Sequence, residues 1–263
     1  MSVVLGNLLI KPWYPSFYPQ DLIGNKVERL YKVCPMRDVP PPGILIYQRG
    51  EVSMYEVDGE GHKLYAQNLS LFAKLFLDTK SVFYDVSTFR YYLMVYYDPV
   101  TAQRQIVGFF SKEKMSWDNN NVACILVFPP WQRRGLGQIL MGVSYELSRR
   151  EGRLGGPEKP LSSLGRKGYL AYWSASIARS ILATSAKKVS VQDLVRDTCI
   201  APEDVISTLD AMGIIEPSPK APAEVVVGSR DKIEEWVQRN KVSMRPVVQR
   251  EAFTNLQDHR PGV

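Results

Sequence analysis

Residues 121–138 read NVACILVFPPWQRRGLGQ, an apolar run followed by a double proline and a glycine-rich turn. The β-branched and large apolar residues of Val122–Phe128 predict a strand, which Pro129 and Pro130 end because proline lacks the N–H that a strand needs. From Leu136 to Arg150, apolar residues recur on one helical face, so we predict a helix there. The order strand, glycine loop, helix is typical of a site where main-chain groups meet a ligand.

The segment Gln132–Gly137 is a candidate phosphate-binding loop. Gly135 and Gly137 allow the backbone to approach a ligand closely, and the first N–H groups of a helix have no partner within it. A pyrophosphate is the ligand that such an arrangement would accept. A strand-to-helix turn that uses glycines for geometry alone explains the same residues, and the loop by itself does not decide between the two.

The surrounding sequence predicts an α+β fold. Ile44–Gln48 and Val52–Val57 flank the turn signal Arg49-Gly50 and are typical of a hairpin. Apolar residues recur with helical spacing over Gln67–Leu77, which predicts a buried helix, and Tyr169–Leu182 is predicted as another. The remaining runs rich in β-branched and aromatic residues are expected to form one sheet together with Val122–Phe128; they are Ser81–Val86, Tyr91–Tyr97 and Gln105–Phe110.

After Ala186 the pattern changes to that of a helix-turn-helix. Ser190 and Asp193 resemble a capping box, and Pro202 opens an apolar helix that Gly213 ends. We therefore predict three regions: an irregular, proline-rich arm over 1–43, a core over 44–183 and a C-terminal lobe over 184–263. The segments Ile214-Ile215, Val225–Val227 and Ile233–Val237 would complete a winged-helix-like lobe, and the sequence after Arg239 is expected to be loose.

Composition excludes several classes of protein. The 263 residues are 45% hydrophobic and 23% charged, which is enough for a sizeable core, and no apolar run approaches the roughly 20 residues that span a bilayer. Three cysteines and two histidines lie far apart, so we predict neither a disulfide framework nor a zinc cluster and expect a reducing, intracellular setting. A net charge of +6 suits acidic surroundings, but the basic residues are scattered.

Several motifs resemble the MYST histone acetyltransferases. They are residues 121–138, SYELS at 144–148, GPEKPLS at 156–162, FSKEK at 110–114 and DVISTL at 204–209, and the resemblance extends from Pro42 to Ile215. The details are most similar to a fungal branch of the family concerned with silencing. The resemblance implies an acyl-CoA N-acyltransferase-like (GNAT-related) core with a mixed sheet, acetyl-CoA as cosubstrate, and acetylation of the histone H4 tail. It also implies a nuclear protein that works with other subunits of an acetyltransferase complex.

The resemblance further implies which residues bind acetyl-CoA. Strand and loop main-chain groups would hold the pantetheine and the pyrophosphate, and the hydroxyl of Ser162 would contact the cofactor. An open strand edge after the proline break would leave N–H and C=O groups for the pantetheine amides. The implied set is Ile125, Leu126, Val127, Gln132, Arg133, Arg134, Gly135, Leu136, Gly137, Gln138 and Ser162.

Glu158 matches the family's catalytic glutamate. A lysine amine with a pKa of about 10.4 is neutral in only about one molecule in 2500 at pH 7, so a general base must take its proton. Burial beside an apolar strand would raise the pKa of Glu158 toward the working pH. From the residues alone, an exposed loop carboxylate explains Glu158 as well.

Cys124 matches the family's active-site cysteine, although its apolar neighbours also suit an inert core thiol. The substrate amine either attacks the thioester directly or receives the acetyl group from Cys124. We favour direct attack, because no histidine lies nearby in sequence to generate the thiolate. Lys80 matches the lysine that family members acetylate on themselves, and a surface lysine at a helix end is the alternative.

The zinc finger of the family is missing from the pattern. Cys34 is one ligand where four are required, and no Cys or His precedes it, so no metal is predicted. A different class of function is a non-catalytic chromatin adaptor that uses the helix-turn-helix of residues 190–213. That segment lacks the dense Arg and Lys of a DNA reader, which favours packing against the core and leaves direct DNA binding open. An acetyltransferase of non-histone proteins is a further alternative.

Overall fold

The computed structural model of the chain describes residues 3–5, 8–18, 39–185, 189–216, 226–227 and 230–254. The chain forms two compact units. The first consists of Met1–Ser116, Val122–Leu140 and Gln249–Val263, and the second of Trp117–Asn121 and Met141–Val248. The predicted regions 1–43, 44–183 and 184–263 stay predictions about domains. Of the helices that the structure describes, none combines the length and the apolar character needed to cross a membrane.

The described residues form an α+β arrangement. Its strands are β1 (Val3–Leu5), β2 (Leu8–Ile10), β3 (Ile44–Arg49), β4 (Val52–Asp58), β5 (Phe89–Asp98), β6 (Gln103–Glu113), β7 (Asn120–Val122), β8 (Cys124–Val127), β9 (Gly156–Pro157), β10 (Ile215–Glu216) and β11 (Val226–Val227). Its α-helices are α1 (Lys63–Lys74), α2 (Leu136–Arg150), α3 (Ser163–Ala183), α4 (Val191–Thr198), α5 (Pro202–Met212) and α6 (Arg230–Arg239). Short 3₁₀ turns lie at Pro129–Trp131 and Arg250–Ala252.

A five-stranded sheet of order β3-β4-β5-β6-β8 is the centre of the first unit. Every neighbouring pair in it is antiparallel, so the predicted mixed sheet is wrong for these strands. The reason is that each connection leaves and re-enters the sheet at the same end. Even the long segment that contains α1 does so, because Asp58 at the end of β4 lies opposite Arg90 at the start of β5.

Two predicted strands differ from the observed ones. Ser81–Val86 forms no strand; it lies between α1 and β5, where the Tyr84 carbonyl accepts a hydrogen bond from Gln67 Nε2 of α1 (2.8 Å) instead of from a neighbouring strand. Val122–Phe128 is divided at Ala123, whose N–H donates to the Ser111 carbonyl (2.8 Å). As a result β7 pairs with β9 in a separate two-stranded sheet, and only β8 joins the large sheet.

Aromatic side chains fill the core between α1 and the large sheet. The Phe72 ring on α1 contacts the Phe128 ring edge-on, with centroids 4.9 Å apart. The predicted irregular arm is more ordered than expected: β1 and β2 form an antiparallel pair, and Trp13 and Tyr14 both donate main-chain N–H groups to the Leu75 carbonyl. Main-chain hydrogen bonding thus attaches the arm to the end of α1.

The second unit is mainly helical. The rings of Tyr145 on α2 and Tyr172 on α3 stack with centroids 5.2 Å apart. The predicted capping box of Ser190 and Asp193 begins α4, and Gly213 ends α5 with a φ of +68°. β10 and β11 form a short antiparallel pair, and Arg230–Arg239 is a helix. The winged-helix-like arrangement of this C-terminal lobe stays a prediction.

The expectation of a loose sequence after Arg239 is wrong for the last described residues, which belong to the first unit. Phe253 forms a β-bridge with Tyr47, and the Thr254 N–H donates to the Ile46 carbonyl (3.0 Å). Phe253 is buried because its ring packs edge-on against that of Tyr47. Helical periodicity gives no signal for such a contact, because a single aromatic residue makes it.

Candidate active site

β8 presents an open edge in the first unit. It pairs with β6 on one side, and no other strand in the described part of the chain pairs with its second side. The Phe128 N–H donates to the Val107 carbonyl of β6 (2.9 Å). Because main-chain direction alternates along an antiparallel strand, Leu126 faces β6 while Ile125 and Val127 direct their N–H and C=O groups to the open side. We call this row of groups the β8 edge.

The loop after β8 is attached to that edge by a side chain. Pro129–Trp131 form one 3₁₀ turn, and the Gln132 main-chain N–H donates back to the Pro129 carbonyl (3.3 Å). The Gln132 Nε2 amide donates to the Val127 carbonyl (2.8 Å). Val127 directs both its C=O and its N–H outward. Gln132 already binds the C=O, so the N–H remains available to a ligand.

Five successive main-chain N–H groups, those of residues 133–137, define the loop at the start of α2. None of them donates a hydrogen bond to a residue that the structure describes, whereas the Gln138 N–H donates to the Gly135 carbonyl (3.0 Å). Arg133 and Gly135 adopt positive φ angles of 62° and 79°. A Cβ added at Gly135 would meet no atom within 4 Å. The exposed loop thus offers donors and open space, as an anionic diphosphate requires.

Cys124 lies half-buried at the first position of β8. It is opposite Ser111 on β6, which is opposite Tyr91 on β5, so the three side chains share one face of the sheet. The buried Tyr91 hydroxyl lies 3.0 Å from the Ser70 hydroxyl of α1. Burial raises the pKa of Tyr91 to about 12, Ser70 lowers it in part, and the neighbouring Cys124 adds to the increase. Tyr91 and Ser70 were not predicted as site residues; strand register could have linked Tyr91 to Cys124, whereas the contact of Ser70 depends on how α1 packs on the sheet.

Glu158 lies in the second unit, directly after β9. Its side chain is exposed, so the burial expected for it is wrong. The two-residue strand ends at the buried Pro157, and the chain leaves the pair at the next residue. The carboxylate is accessible to a substrate from solvent.

Ser162 and Lys80 have local structural roles in addition to those predicted. Ser162, in the second unit, is the N-cap of α3, and its exposed Oγ accepts from the Gly165 N–H (3.1 Å). Its hydroxyl proton remains free to donate to a ligand. Lys80, in the first unit, is half-buried in a turn where its N–H donates to the Leu77 carbonyl (3.4 Å). It lies beyond the end of α1 rather than in its last turn.

The structure brings part of the predicted site together. Cys124, the β8 edge and the loop to Gln138 are consecutive parts of the first unit, and Glu158 and Ser162 belong to the second. A model of the MOZ/SAS family matches residues 40–253 of the chain. The chain belongs to this family. The predicted membership of the MYST family is thereby confirmed.

Relatives within the MOZ/SAS family are histone acetyltransferases by name. The chain is 41% identical over 233 residues to the histone acetyltransferase Tip60 homolog of Caenorhabditis elegans, covering 81% of this chain and 50% of that protein. It is 40% identical over 231 residues to histone acetyltransferase ESA1 of Candida glabrata, covering 81% and 51%. With human histone acetyltransferase KAT6A the identity is 36% over 262 residues, covering 93% and 13%. The chain thus spans about half the length of the first two relatives and less of the third.

MOZ/SAS acetyltransferases use acetyl-CoA as the acetyl donor. The outward groups of the β8 edge and the five loop N–H groups fit its amides and its diphosphate. Among the residues that the structure describes, no group of three or more His, Cys, Asp or Glu side chains is arranged to hold a metal ion. Cys34, on which the prediction of a lost zinc finger depends, lies outside the described residues.

Proposed function

We propose that this chain is a lysine acetyltransferase that transfers an acetyl group from acetyl-CoA to a side-chain amine of a histone tail. One observation carries the proposal: a strand edge that no described strand covers leads directly into a loop whose five N–H groups donate to no described residue, at the start of α2. The edge suits an extended amide chain, and the loop suits a diphosphate. Membership of the MOZ/SAS family supports the same chemistry.

In this proposal β8 and the loop after it supply the main-chain contacts with the cofactor. Ile125 and Val127 pair with the pantetheine amides, with Leu126 between them, and the loop from Gln132 through Gln138 surrounds the diphosphate. Arg133 and Arg134 are exposed and add positive charge beside it. Ser162 donates its hydroxyl proton to the cofactor while its oxygen caps α3.

Glu158 acts as the general base. Neutralising a lysine amine at pH 7 costs about 4.6 kcal/mol, so a carboxylate that accepts the proton as the amine reacts removes a large part of the barrier. The assignment follows the family match of Glu158, and its exposure leaves the carboxylate within reach of an amine that arrives from solvent.

Direct attack by the amine is the favoured route. The amine nitrogen bonds to the thioester carbonyl carbon of acetyl-CoA, the carbon–sulfur bond breaks with its electron pair going to sulfur, CoA leaves as the thiolate, and the amine proton passes to Glu158. An acetyl-Cys124 route needs a thiolate, which a nearby positive charge would stabilise. Tyr91 is one neighbour of Cys124, and burial raises its pKa to about 12, so this phenol is neutral at working pH and offers the thiolate no positive charge. We assign Cys124 to shaping the pocket.

The finer assignments follow the family resemblance. The substrate is the H4 tail, the setting is the nucleus and silencing chromatin, and other subunits of an acetyltransferase complex are partners. Lys80 is the site of autoacetylation. Residues 44–183 form the acetyltransferase core. Residues 184–263 form a helical lobe of the same protein.

An acetyl-transfer assay with histone octamers, H4 peptide and H3 peptide tests the proposal. We expect transfer to octamers and H4, a loss in kcat of about 100-fold or more in Glu158→Gln, and substantial activity in Cys124→Ala. Glu235→Gln, an exposed glutamate on α6, is the matched control and should behave as wild type. Equal activity of wild type and Glu158→Gln would show that Glu158 is not the general base.

The alternatives give different results in the same assay. A chromatin adaptor would show no transfer from acetyl-CoA to any protein, alone or with partner subunits. An acetyltransferase of non-histone proteins would acetylate itself or another protein but neither octamers nor peptides.

A further inference from the structure

Asp204 is a buried carboxylate in the first turn of α5. Only 4% of its surface is exposed, although it lies in a helix turn where acidic residues are normally solvated. Its Oδ1 accepts a hydrogen bond from the Lys159 ammonium group (2.7 Å). Lys159 directly follows Glu158 in the chain, so this ion pair holds one flank of the proposed base.

The second oxygen of the same carboxylate contacts the other flank. A Cβ added at Gly156 would lie 2.9 Å from Asp204 Oδ2, so a larger residue would have to displace the carboxylate. Gly156 precedes Glu158 by two residues. A single buried carboxylate thus meets the chain on both sides of Glu158, and we call residues 156–159 the base loop.

The base loop is also held at its start. Gly155 forms a parallel bridge with Ile200, the residue that follows α4 by two positions, and a Cβ there would lie 2.8 Å from the Asn119 carbonyl. The loop therefore enters from a fixed point and ends at a charged contact. Glu158 projects to solvent between two anchors that belong to α5 and its preceding turn.

An ordinary surface ion pair does not explain this arrangement. The adjacent Glu203 also lies near Lys159 Nζ, at 3.9 Å, but its side chain is 67% exposed against 6% for Asp204. Burial raises the pKa of the Asp204 carboxyl, and Lys159 offsets the increase in part. Asp204 Oδ2 accepts no hydrogen bond from any described residue. A buried ion pair with one unpaired oxygen is weak evidence for a gain in net stability, which directs attention to the geometry that the carboxylate fixes.

We propose that Asp204 is a positioning residue for catalysis: it clamps the base loop and so sets the direction of the Glu158 carboxylate. The proposal rests on the proposed role of Glu158 as base. It also gives the helix-turn-helix a function other than nucleic-acid binding, because α5 contributes the clamp. Asp204 should not affect the contacts that the loop from Arg133 to Gly137 makes with the substrate and the cofactor.

Steady-state acetyl transfer to H4 peptide provides the first test. We expect Asp204→Asn to lower kcat about tenfold or more, with the KM for acetyl-CoA unchanged, because the base is displaced rather than removed. Glu203→Gln is the matched control and should keep wild-type kcat. Lys159→Met should match Asp204→Asn, and the double variant should lose no more than either single one. The clamp would be overturned if the losses in kcat of the two single variants multiplied in the double variant. It would also be overturned if Asp204→Asn raised the KM and left kcat unchanged.

Hydrogen–deuterium exchange tests the clamp without any activity. In Asp204→Asn, the amides of Gly156, Glu158 and Lys159 should exchange at least about tenfold faster than in wild type or Glu203→Gln. Gly156→Ala, which retains the carboxylate but crowds it, should give the same local change if Asp204→Asn unfolds the chain. Unchanged exchange in both variants would refute the clamp. If these amides exchange faster in Asp204→Asn but Glu158→Gln is fully active, the clamp is retained and the role of Glu158 as general base is refuted.

Discussion

Gly108 is a single position on which the β8 edge depends. A Cβ placed on it would lie 2.5 Å from the Leu126 carbonyl oxygen, a main-chain atom that cannot rotate away. The absence of a side chain therefore allows β6 to approach β8 at the point where Gly108 is paired with Val127. Any larger residue must push the strand that carries the proposed cofactor groups.

Replacing Gly108 with alanine should disturb both stability and cofactor binding. We expect a loss of about 1–3 kcal/mol in the free energy of unfolding, because overpacking forces a backbone shift. Calorimetric titration with CoA should show weaker binding. Gly61→Ala is the control, since a Cβ there meets nothing within 4 Å. If Gly108→Ala binds CoA as wild type does, β8 is not fixed by this contact.

At the scale of elements, the caps of α3 and α4 show how short polar motifs place helices. The Ser190 N–H and hydroxyl both donate to Asp193 Oδ2, at 3.1 and 2.7 Å, and the Asp193 N–H donates back to Ser190 Oγ. The hydrogen bonds from the Ser190 hydroxyl and N–H, together with Arg196, lower the pKa of the Asp193 carboxyl. The cap is therefore strongest when Asp193 is ionised.

This cap predicts a definite pH dependence of stability. Because the folded pKa of Asp193 lies below its unfolded value of about 3.9, its contribution is complete above that value and is lost as pH falls through the folded pKa. Denaturant unfolding from pH 7 to pH 2 should show wild type and Asp193→Asn converging at the acid end. Parallel curves for Asp193→Asn would contradict the assignment.

At the scale of the whole molecule, the last described residues return to the first unit and contact β3. Phe253 packs on Tyr47 with ring centroids 4.8 Å apart, and the Thr254 hydroxyl donates to the Leu45 carbonyl (2.7 Å). More than two hundred residues separate these partners, including all of the second unit's helices. The first unit is therefore complete only when the chain has returned to it.

Phe253→Ala should destabilise the chain by about 3–5 kcal/mol, because a large buried ring is replaced by a cavity. Thermal unfolding followed by circular dichroism measures the change. Met244→Ala removes an exposed side chain nearby in sequence and should leave the midpoint within error of wild type. A small effect of Phe253→Ala would mean that the return segment is dispensable.

Local rules predicted those parts of the structure that depend on neighbouring residues. The hairpin around Arg49-Gly50, the helix after Gly135 and the capping box of Ser190 were all predicted, because turn residues, apolar periodicity and caps act within a few positions. Motif spacing also indicated the family, which the match over residues 40–253 confirms.

Contacts between distant residues lay beyond those rules. The break at Ala123, the antiparallel order that leaves β8 at the sheet margin, the Tyr91 phenol near Cys124 and the Asp204 carboxylate on both sides of Glu158 each join segments far apart in the chain. The exposure of Glu158 is of the same kind, since it follows from where a two-residue strand ends. Amino-acid order thus settled the helices, turns and family, whereas long-range packing settled which main-chain groups stay open and how the proposed base is held.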